Sequence, residues 1–386
     1  MTQFTVIGLL FAYGLFFEIF ENEFGWPRAV LSGAMSLVVL SMGFLAAFSG
    51  RLSDLFGPRI VLSVSGIVFG LGVASLSQIS EPWHLFLIFT IFIGVGMATH
   101  DVVTLSTVAR WFVRRRGMMT GVVKVATAIG QISLPAALAA LIAGFGWRDA
   151  IMVTGFAAAV LLFGAAQLVR RPKEGEATGA SAEAATPAPA PAPVNYKAAV
   201  RTRVFWMLCA AQFLFFPILS AIPLHVVAHG SDLGLSVAQA AGLVSTIGAA
   251  SIAGRLIVGN VIDRIGGRRA YILGLTPLVL SLVALLAIDV PWMLYGVMAL
   301  YGIGHGGMFT VVSPTIAEYF GVRSLGALFG TILFFGSLGG AAGPIMTGFI
   351  FDWSGSYAVA FTILAIMGGL ALLLILLLPR KLLSSA

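Results

Sequence analysis

The chain has 386 residues, of which 59% are hydrophobic and only 10% are charged, whereas a soluble domain carries about 25% charged residues. Its mean hydropathy of +1.02 leaves too few polar side chains to cover a water-soluble globule, so we expect helices in a lipid bilayer. The long apolar runs exclude a transmembrane barrel, whose strands alternate polar and apolar residues. The single cysteine, Cys209, excludes a disulfide framework and a cysteine-based metal site.

The chain has a net charge of +7, and what this charge indicates depends on where the basic residues lie. Most Lys and Arg residues fall in short loops or tails on one side of the predicted membrane, which the positive-inside rule assigns to the cytoplasm. This distribution explains the charge without a nucleic acid as partner. No basic region precedes Phe4, so the first apolar segment is predicted to be a helix and not a signal peptide. We expect a bacterial inner membrane or plasma membrane, with both termini cytoplasmic.

Apolar segments of about 20 residues, long enough to cross a bilayer, follow one another along the chain. We predict twelve transmembrane helices, helix 1 to helix 12, at residues 4–20, 29–50, 60–79, 85–109, 117–141, 149–169, 204–227, 237–260, 270–288, 292–317, 325–350 and 357–378. After helix 6 the composition changes to Ala, Pro, Gly and Glu, which cannot bury a core. The sequence therefore predicts an all-α membrane protein with two six-helix bundles, 1–172 and 204–386, and a largely disordered cytoplasmic linker at 173–203.

The two halves of the chain repeat each other. Four residues around the loop after helix 2, Gly50, Asp54, Gly57 and Arg59, have identical residues 209 positions later: Gly259, Asp263, Gly266 and Arg268. Four residues of helix 5, Gly117, Gly121, Gly130 and Pro135, have identical residues at the same offset: Gly326, Gly330, Gly339 and Pro344. In helix 4 the offset is 208, from Gly94 and Gly96 to Gly302 and Gly304. Two parallel, pseudo-symmetric halves suit alternating access with substrate between them; a duplicated scaffold without that function is the alternative.

The loop between helices 2 and 3 carries the most specific motif. It reads Gly50-Arg-Leu-Ser-Asp54-Leu-Phe-Gly57-Pro-Arg59, and it resembles the G-x-L-x-D-x-x-G-x-R signature of the major facilitator superfamily. In that superfamily the loop latches the two halves together on the cytoplasmic side. The resemblance implies that Asp54, Arg59, Asp263 and Arg268 belong to this gating latch. Arg110 and Glu318 are repeat equivalents at the cytoplasmic ends of helices 4 and 10, and we expect them to be partners of the latch. A turn with positive-inside charge would explain the arginines but not the two aspartates.

Two further motifs resemble one branch of this superfamily, the monocarboxylate transporters and oxalate/formate antiporters. The segment 24–29, Phe-Gly-Trp-Pro-Arg-Ala, is similar to the branch's FGW-x-R-A element, and 111–121 is similar to its WF-x-x-RRG-x-A-x-G element. Met119 and Lys124 depart from the branch pattern. Helix 11 lacks, in Ile332-Leu-Phe-Phe-Gly336, the Lys that oxalate carriers place there. The resemblance therefore implies a monocarboxylate and not a dicarboxylate.

Charged side chains inside the predicted helices are candidates for function, because each costs about 2.5–3.5 kcal/mol on insertion scales. Arg255 lies in helix 8 among small residues, Ser251-Ile-Ala-Gly-Arg255. Monocarboxylate-type carriers bind the substrate carboxylate with an Arg of helix 8, so the resemblance implies this role for Arg255. A structural Arg that reaches the cytoplasmic interface is the alternative. Lys124, seven residues into helix 5, is either a second cation for the substrate or a side chain that reaches back to the same interface.

His100 and Asp101 are adjacent in helix 4, so their side chains should point about 100° apart and not face one partner. Asp101 has no opposite charge three or four residues away, and burial disfavours the anionic form of such a carboxyl group. We therefore predict that Asp101 or His100 couples transport to protons. A structural ion pair between Asp101 and Lys124 is the alternative.

Four other polar side chains can reach a central cavity and are candidate substrate contacts: Tyr13, Gln131, Tyr301 and His305. His305 lies among glycines of helix 10, and an imidazole changes its charge near neutral pH. A Tyr or Gln in such a position more often forms a hydrogen bond that packs helices, and packing is also the alternative for His305.

The sequence thus predicts a secondary active transporter that moves a small organic anion, a monocarboxylate, with protons by alternating access. We expect a monomer that needs no cofactor or metal besides the proton gradient. No Walker motif supports ATP-driven transport, and no HExxH motif supports an enzyme. The alternative is a proton-driven exporter of hydrophobic drugs or another small solute on the same fold. The intramembrane charges of Arg255 and Lys124 disfavour it, because a neutral guest would not offset their desolvation.

Overall fold

A computed structural model describes residues 1–26, 28–172, 176, 195–288 and 290–379. Within these residues, twelve long helical segments correspond to the twelve predicted helices. The first, α1, begins as Thr2–Ala12, passes through a 3₁₀ turn at Tyr13–Leu15 and continues as Phe16–Phe24. The next five are α2 Arg28–Phe56, α3 Pro58–Gln78, α4 Pro82–Trp111, α5 Arg116–Phe145 and α6 Trp147–Gln167.

The second six helices are α7 Arg203–Asp232, α8 Val237–Ile265, α9 Gly267–Leu285, α10 Met293–Phe320, α11 Leu325–Ser354 and α12 Tyr357–Leu376. Ten of the twelve helices in the described part of the chain are long and apolar enough to cross a membrane. The other two are α1, whose apolar part Thr2–Leu15 is shorter, and α10, in which several glycines and His305 lower the mean hydropathy. The prediction of an all-α membrane protein with two halves is confirmed.

Two sharp turns connect helices at repeat-equivalent positions. Gly57 joins α2 to α3 with φ of 91°, and Gly266 joins α8 to α9 with φ of 81°. Side chains of L-residues rarely allow this backbone conformation, so glycine is needed at both turns. The sharp turns bring Asp54 and Asp263, three residues earlier, to the ends of α2 and α8.

The chain divides into two compact units. Unit 1 contains Met1–Trp111, Val123–Ala177 and Leu325–Gly330, and unit 2 contains Phe112–Val122, Thr178–Ser324 and Thr331–Ala386. Each unit therefore holds most of one six-helix half together with the first turns of α11 or α5. Most of the predicted linker lies outside the described residues. Within them, Asn195 caps a short helix, Tyr196–Ala199, through its side chain.

Residues that are equivalent in the sequence repeat make equivalent helix contacts in the two units. A Cβ atom added to Gly130 of α5 would lie 2.2 Å from the carbonyl oxygen of Phe4 in α1, and one added to Gly339 of α11 would lie 2.2 Å from that of Phe213 in α7. Both residues of each pair are related by the offset of 209. The offset therefore extends to α1 and α7, and glycine permits the same close helix approach in both units.

Candidate functional site

The two aspartates of the repeated motif bind the first turns of helices. In unit 1, Asp54 Oδ2 accepts a hydrogen bond of 3.0 Å from the backbone N–H of Ala327 in α11. In unit 2, the carboxylate of Asp263 accepts bonds of 2.8 and 3.0 Å from the backbone N–H groups of Gly117 and Met118 in α5. Backbone N–H groups in the first turn of a helix lie at the positive end of the helix dipole, which favours a carboxylate there.

The residues predicted as partners of this latch differ in what they bind. Arg110 Nη2 lies 2.5 Å from Asp54 Oδ1 and forms an ion pair with it. Its repeat equivalent, Glu318, instead accepts a 2.5 Å hydrogen bond from the backbone N–H of Gly267. Glu318 therefore caps the start of α9 on its own half of the chain.

The two motif arginines bind carbonyl groups at the ends of helices. Arg59 Nε donates to the carbonyl oxygen of Val169, just after α6, at 3.4 Å. Arg268 donates to the carbonyl oxygens of Ile375 and Leu376, at the end of α12, at 3.3 and 2.5 Å. Such carbonyls lack partners within the helix and attract cations. Since each contact stays within one half, the part of Arg59 and Arg268 in a latch stays a prediction.

Five buried polar residues of unit 1 form a connected group, which we call the α4 cluster: Gln3, His100, Asp101, Lys124 and Thr127. Asp101 Oδ1 accepts hydrogen bonds from Lys124 Nζ at 2.5 Å and from Gln3 Nε2 at 2.8 Å. Gln3 Oε1 in turn accepts one from Thr127 Oγ1 at 2.9 Å. The ion pair between Asp101 and Lys124, which the sequence left open as the alternative, is therefore formed, because α5 packs beside α4 and brings Lys124 to Asp101.

The imidazole of His100 contacts its neighbour in sequence. His100 Nδ1 lies 2.5 Å from the carbonyl oxygen of Met97, and Nε2 lies 3.4 Å from Asp101 Oδ1. The helix spacing predicted that the two side chains would diverge. Instead the ring lies close enough to the carboxylate for an ion pair when it is charged.

The second half of the chain builds the same helix arrangement without this cluster. The repeat equivalents of the five residues are Gln212, Met308, Phe309, Leu333 and Gly336. Only the glutamine is retained, and it lies against α11, since a Cβ added to Gly336 would be 2.7 Å from Gln212 Cγ. A repeat that folds without the charges shows that this helix arrangement does not require them. The α4 cluster is therefore a candidate for function.

Arg255 of α8 is the other buried charge in the predicted site. The residue is only 3% exposed, which disfavours the alternative in which its side chain reaches the interface. Small residues surround its backbone: a Cβ added to Gly121 would lie 2.5 Å from the Arg255 carbonyl oxygen. Ser251, one turn earlier, donates its hydroxyl to the carbonyl of Gly248 at 2.9 Å.

The remaining candidates are held by packing contacts. Tyr13 donates its hydroxyl to the carbonyl oxygen of Leu31 at 3.3 Å, and Tyr301 donates to that of Ile218 at 2.9 Å. The half-buried ring of His305 lies 5.0 Å from that of Phe309, between centroids. Gln131 is half-buried on α5. Their roles as substrate contacts stay predictions.

Sequence reasoning missed the uncharged members of the α4 cluster, Gln3 and Thr127, and the buried Gln212. The side-chain oxygen of Gln212 has no hydrogen-bond partner in the described part of the chain. The signal was available, because Gln3 and Gln212 are separated by the same 209 residues as the motif positions. Among the described residues, no group of three or more His, Cys, Asp or Glu could hold a metal ion.

Comparisons with known proteins agree with this architecture. A family model described as the Major Facilitator Superfamily matches residues 1–261 and 226–385. Monocarboxylate transporter 13 of Bos taurus is 26% identical over 363 residues, which cover 93% of this chain and 82% of that protein. Monocarboxylate transporter 7 of Homo sapiens is 24% identical over 416 residues, with coverages of 92% and 79%.

Solved structures show the same fold at lower identity. The structure of a human organic anion transporter has a TM-score of 0.72 and 18% identity, covering 97% of both chains. That of the Escherichia coli fucose:proton symporter has a TM-score of 0.69 and 14% identity, again covering 97% of both chains.

Proposed function

The chain belongs to the major facilitator superfamily, a family of transporters and not of enzymes, and from that premise we propose that it moves small monocarboxylates together with protons by alternating access. The observation that carries this proposal is the buried guanidinium of Arg255 in a membrane helix. Burying that charge in a membrane helix is costly, and binding of an anionic substrate would offset the cost.

Arginine suits a carboxylate better than any other side chain does. Its planar guanidinium offers parallel N–H donors that match the two oxygens of a carboxylate, whereas a lysine offers a point charge. The residue one turn before Arg255 is Ser251, whose hydroxyl is held by its own helix. We propose that the carboxylate which Arg255 binds is that of the substrate.

The relatives support an acid as the substrate class. Proteins named monocarboxylate transporters align with 92–93% of this chain, and a neighbour of known structure is titled an organic anion transporter. These names describe those proteins. For this chain they favour a small organic acid over the alternative of a neutral, hydrophobic guest.

The α4 cluster supports the coupling to protons. It places a carboxylate, an ammonium group and an imidazole in contact inside the membrane region, and such buried ionisable groups are typical of proton relays. The repeat equivalents carry no ionisable group, so the helix arrangement does not require these charges. A proton bound in this cluster would accompany the acid across the membrane.

The contacts of Asp54 and Asp263 support alternating access. Each joins a turn of one six-helix half to the first turn of a helix from the other half. We place both turns on the cytoplasmic side, where the basic loops lie. In this proposal the contacts must break before the substrate can leave into the cytoplasm.

Reconstituted protein tests this proposal directly. Proteoliposomes with an imposed inward proton gradient are offered labelled acetate, lactate, pyruvate, oxalate and a neutral sugar. We expect accumulation of the monocarboxylates alone, and at least a tenfold loss in Arg255→Lys. The matched control is Arg201→Lys, an exposed arginine outside the membrane helices, which should transport normally. Accumulation of the sugar, or equal uptake by Arg255→Lys, would contradict the proposal.

A further inference from the structure

The two nitrogens of His100 both face oxygens that accept hydrogen bonds. Nδ1 lies 2.5 Å from the carbonyl oxygen of Met97, which can only accept, and Nε2 lies 3.4 Å from Asp101 Oδ1. That carboxylate oxygen already accepts from Lys124 and Gln3, so it is ionised and has no proton to donate. A neutral imidazole has one donor and one acceptor, and only the imidazolium has two donors. The two oxygens that face the ring nitrogens therefore match its charged form.

From this geometry we propose that His100 carries the coupled proton and that Asp101 stays ionised and positions it. The inference rests on the proposed function, proton symport with a carboxylate. The step is a proton transfer alone. Nε2 takes a proton from hydronium on one side of the membrane and leaves water, and the ring gains one positive charge. The same N–H bond breaks when the proton passes to water on the other side, which becomes hydronium.

The groups around the ring are consistent with this assignment. The charged groups that act on His100 are Asp101 in its own helix and Lys124 of α5. The residues of α1 and α3 that line a small cavity together with His100 are uncharged, among them Thr2 and Ser65. With the ring neutral, the charges of Asp101 and Lys124 balance. With the ring protonated, the cluster carries a net positive charge, which favours an anion in the transporter.

A small cavity next to His100 has room for a water molecule that can carry the proton. It has a volume of about 10 Å³, and its lining includes His100 and the hydroxyl-bearing residues Thr2, Ser65 and Thr99. This is about the space that one water molecule needs, and a buried water needs two to four polar partners. We assign the cavity to a water molecule that exchanges protons with the cluster.

The repeat argues against a purely structural imidazole. At the equivalent positions of α10 the chain has Met308 and Phe309, and Met308 is fully buried. An apolar pair thus fills the same place in the second half. A histidine that served packing alone would have no need of a carboxylate and a lysine beside it.

The experiment compares His100→Gln, His100→Asn and Asp101→Asn in proteoliposomes, with His84→Gln outside the cluster as control. Two rates are measured: accumulation of labelled lactate driven by a proton gradient, and exchange of lactate at equal pH. We expect both His100 variants to lose accumulation by at least tenfold, to keep exchange, and to show exchange that no longer varies between pH 5.5 and 8. Asp101→Asn should keep a pH-dependent exchange displaced toward lower pH, because the ring loses the carboxylate that favours its charged form.

The outcomes separate this inference from the function on which it rests. If the unmodified protein does not accumulate lactate under a proton gradient, proton symport itself is wrong. If the unmodified protein does so and either His100 variant does as well, only the assignment to His100 is overturned. The same holds if Asp101→Asn abolishes the pH dependence while the His100 variants retain it. Proton uptake by the purified, unmodified protein on addition of lactate, followed with a pH indicator, gives a check that needs no variant and should show protons taken up with the acid.

Discussion

The carboxylate of Asp101 and the ammonium group of Lys124 lie 2.5 Å apart, on neighbouring helices, with both side chains buried. Each charge offsets the desolvation of the other, and removing one partner leaves the second uncompensated in a medium of low dielectric constant.

We predict that Lys124→Met lowers the free energy of unfolding by about 3–5 kcal/mol, the range measured when one member of a buried pair is removed. The double variant Lys124→Met/Asp101→Asn should recover part of the loss, because no uncompensated anion remains. Thermal unfolding of the detergent-purified protein measures both. If the effects of the two substitutions on the free energy of unfolding are additive, the ion pair does not stabilise the fold in this way.

The close approach of α5 to α1 gives a second prediction. A Cβ at Gly130 would meet the carbonyl oxygen of Phe4 at 2.2 Å, and a backbone atom cannot move aside without separating the helices. We expect Gly130→Ala to cost about 1–3 kcal/mol, the usual penalty for overpacking. Gly164→Ala is the control, because no atom lies within 4 Å of its added Cβ. That substitution should leave the midpoint of thermal unfolding unchanged or higher. Equal effects of the two would contradict the packing argument.

A third prediction concerns the carboxylates at the two turns. Neutralising Asp54 in Asp54→Asn removes an ion pair with Arg110 and weakens the bond from the Ala327 N–H. The protein should then favour the state in which α2 and α11 separate at this end, by roughly tenfold for each 1.4 kcal/mol lost. Spin labels at Arg51→Cys and Arg323→Cys report the distance, with Asp149→Asn, on an exposed residue, as control. Unchanged distances together with lost transport would refute the latch.

A fourth prediction concerns pH and the ion pair between Glu23 and Arg148. The hydrogen bond from Arg148 holds the pKa of Glu23 below its ordinary value of 4.5, and the bond from Trp147 Nε1 acts in the same direction. A lowered pKa means that the pair stabilises the folded state above pH 4.5 and loses this effect as the pH falls through the pKa of the folded protein. The midpoint of thermal unfolding of Glu23→Gln should therefore lie below that of the unmodified protein at pH 7, and the two should converge in acid. Because Glu23 is more than a third exposed, the difference should be small. If the difference between the two midpoints of thermal unfolding grows as the pH falls, the prediction is wrong.

Much of the architecture follows from the sequence because it depends on features that the chain shows directly. Apolar runs of membrane length located the twelve helices, and the offset of 209 residues placed Asp54 and Asp263 in equivalent turns. The pairing of Asp101 with Lys124 depends on how α5 is rotated against α4, which neither spacing nor hydropathy determines. The same limit applies to Arg59 and Arg268, since the sequence does not reveal that their side chains reach the ends of α6 and α12.

The central claim is that an acid and a proton cross together and that Arg255 binds the acid. Proteoliposomes that contain a pH indicator, given labelled lactate outside at equal pH, measure both movements at once. The account predicts that the lumen acidifies in proportion to the lactate taken up, faster than in empty liposomes, and that Arg255→Lys reduces both rates to those of the empty liposomes. Lactate uptake without acidification beyond that of empty liposomes, or rates that Arg255→Lys leaves unchanged, would contradict it.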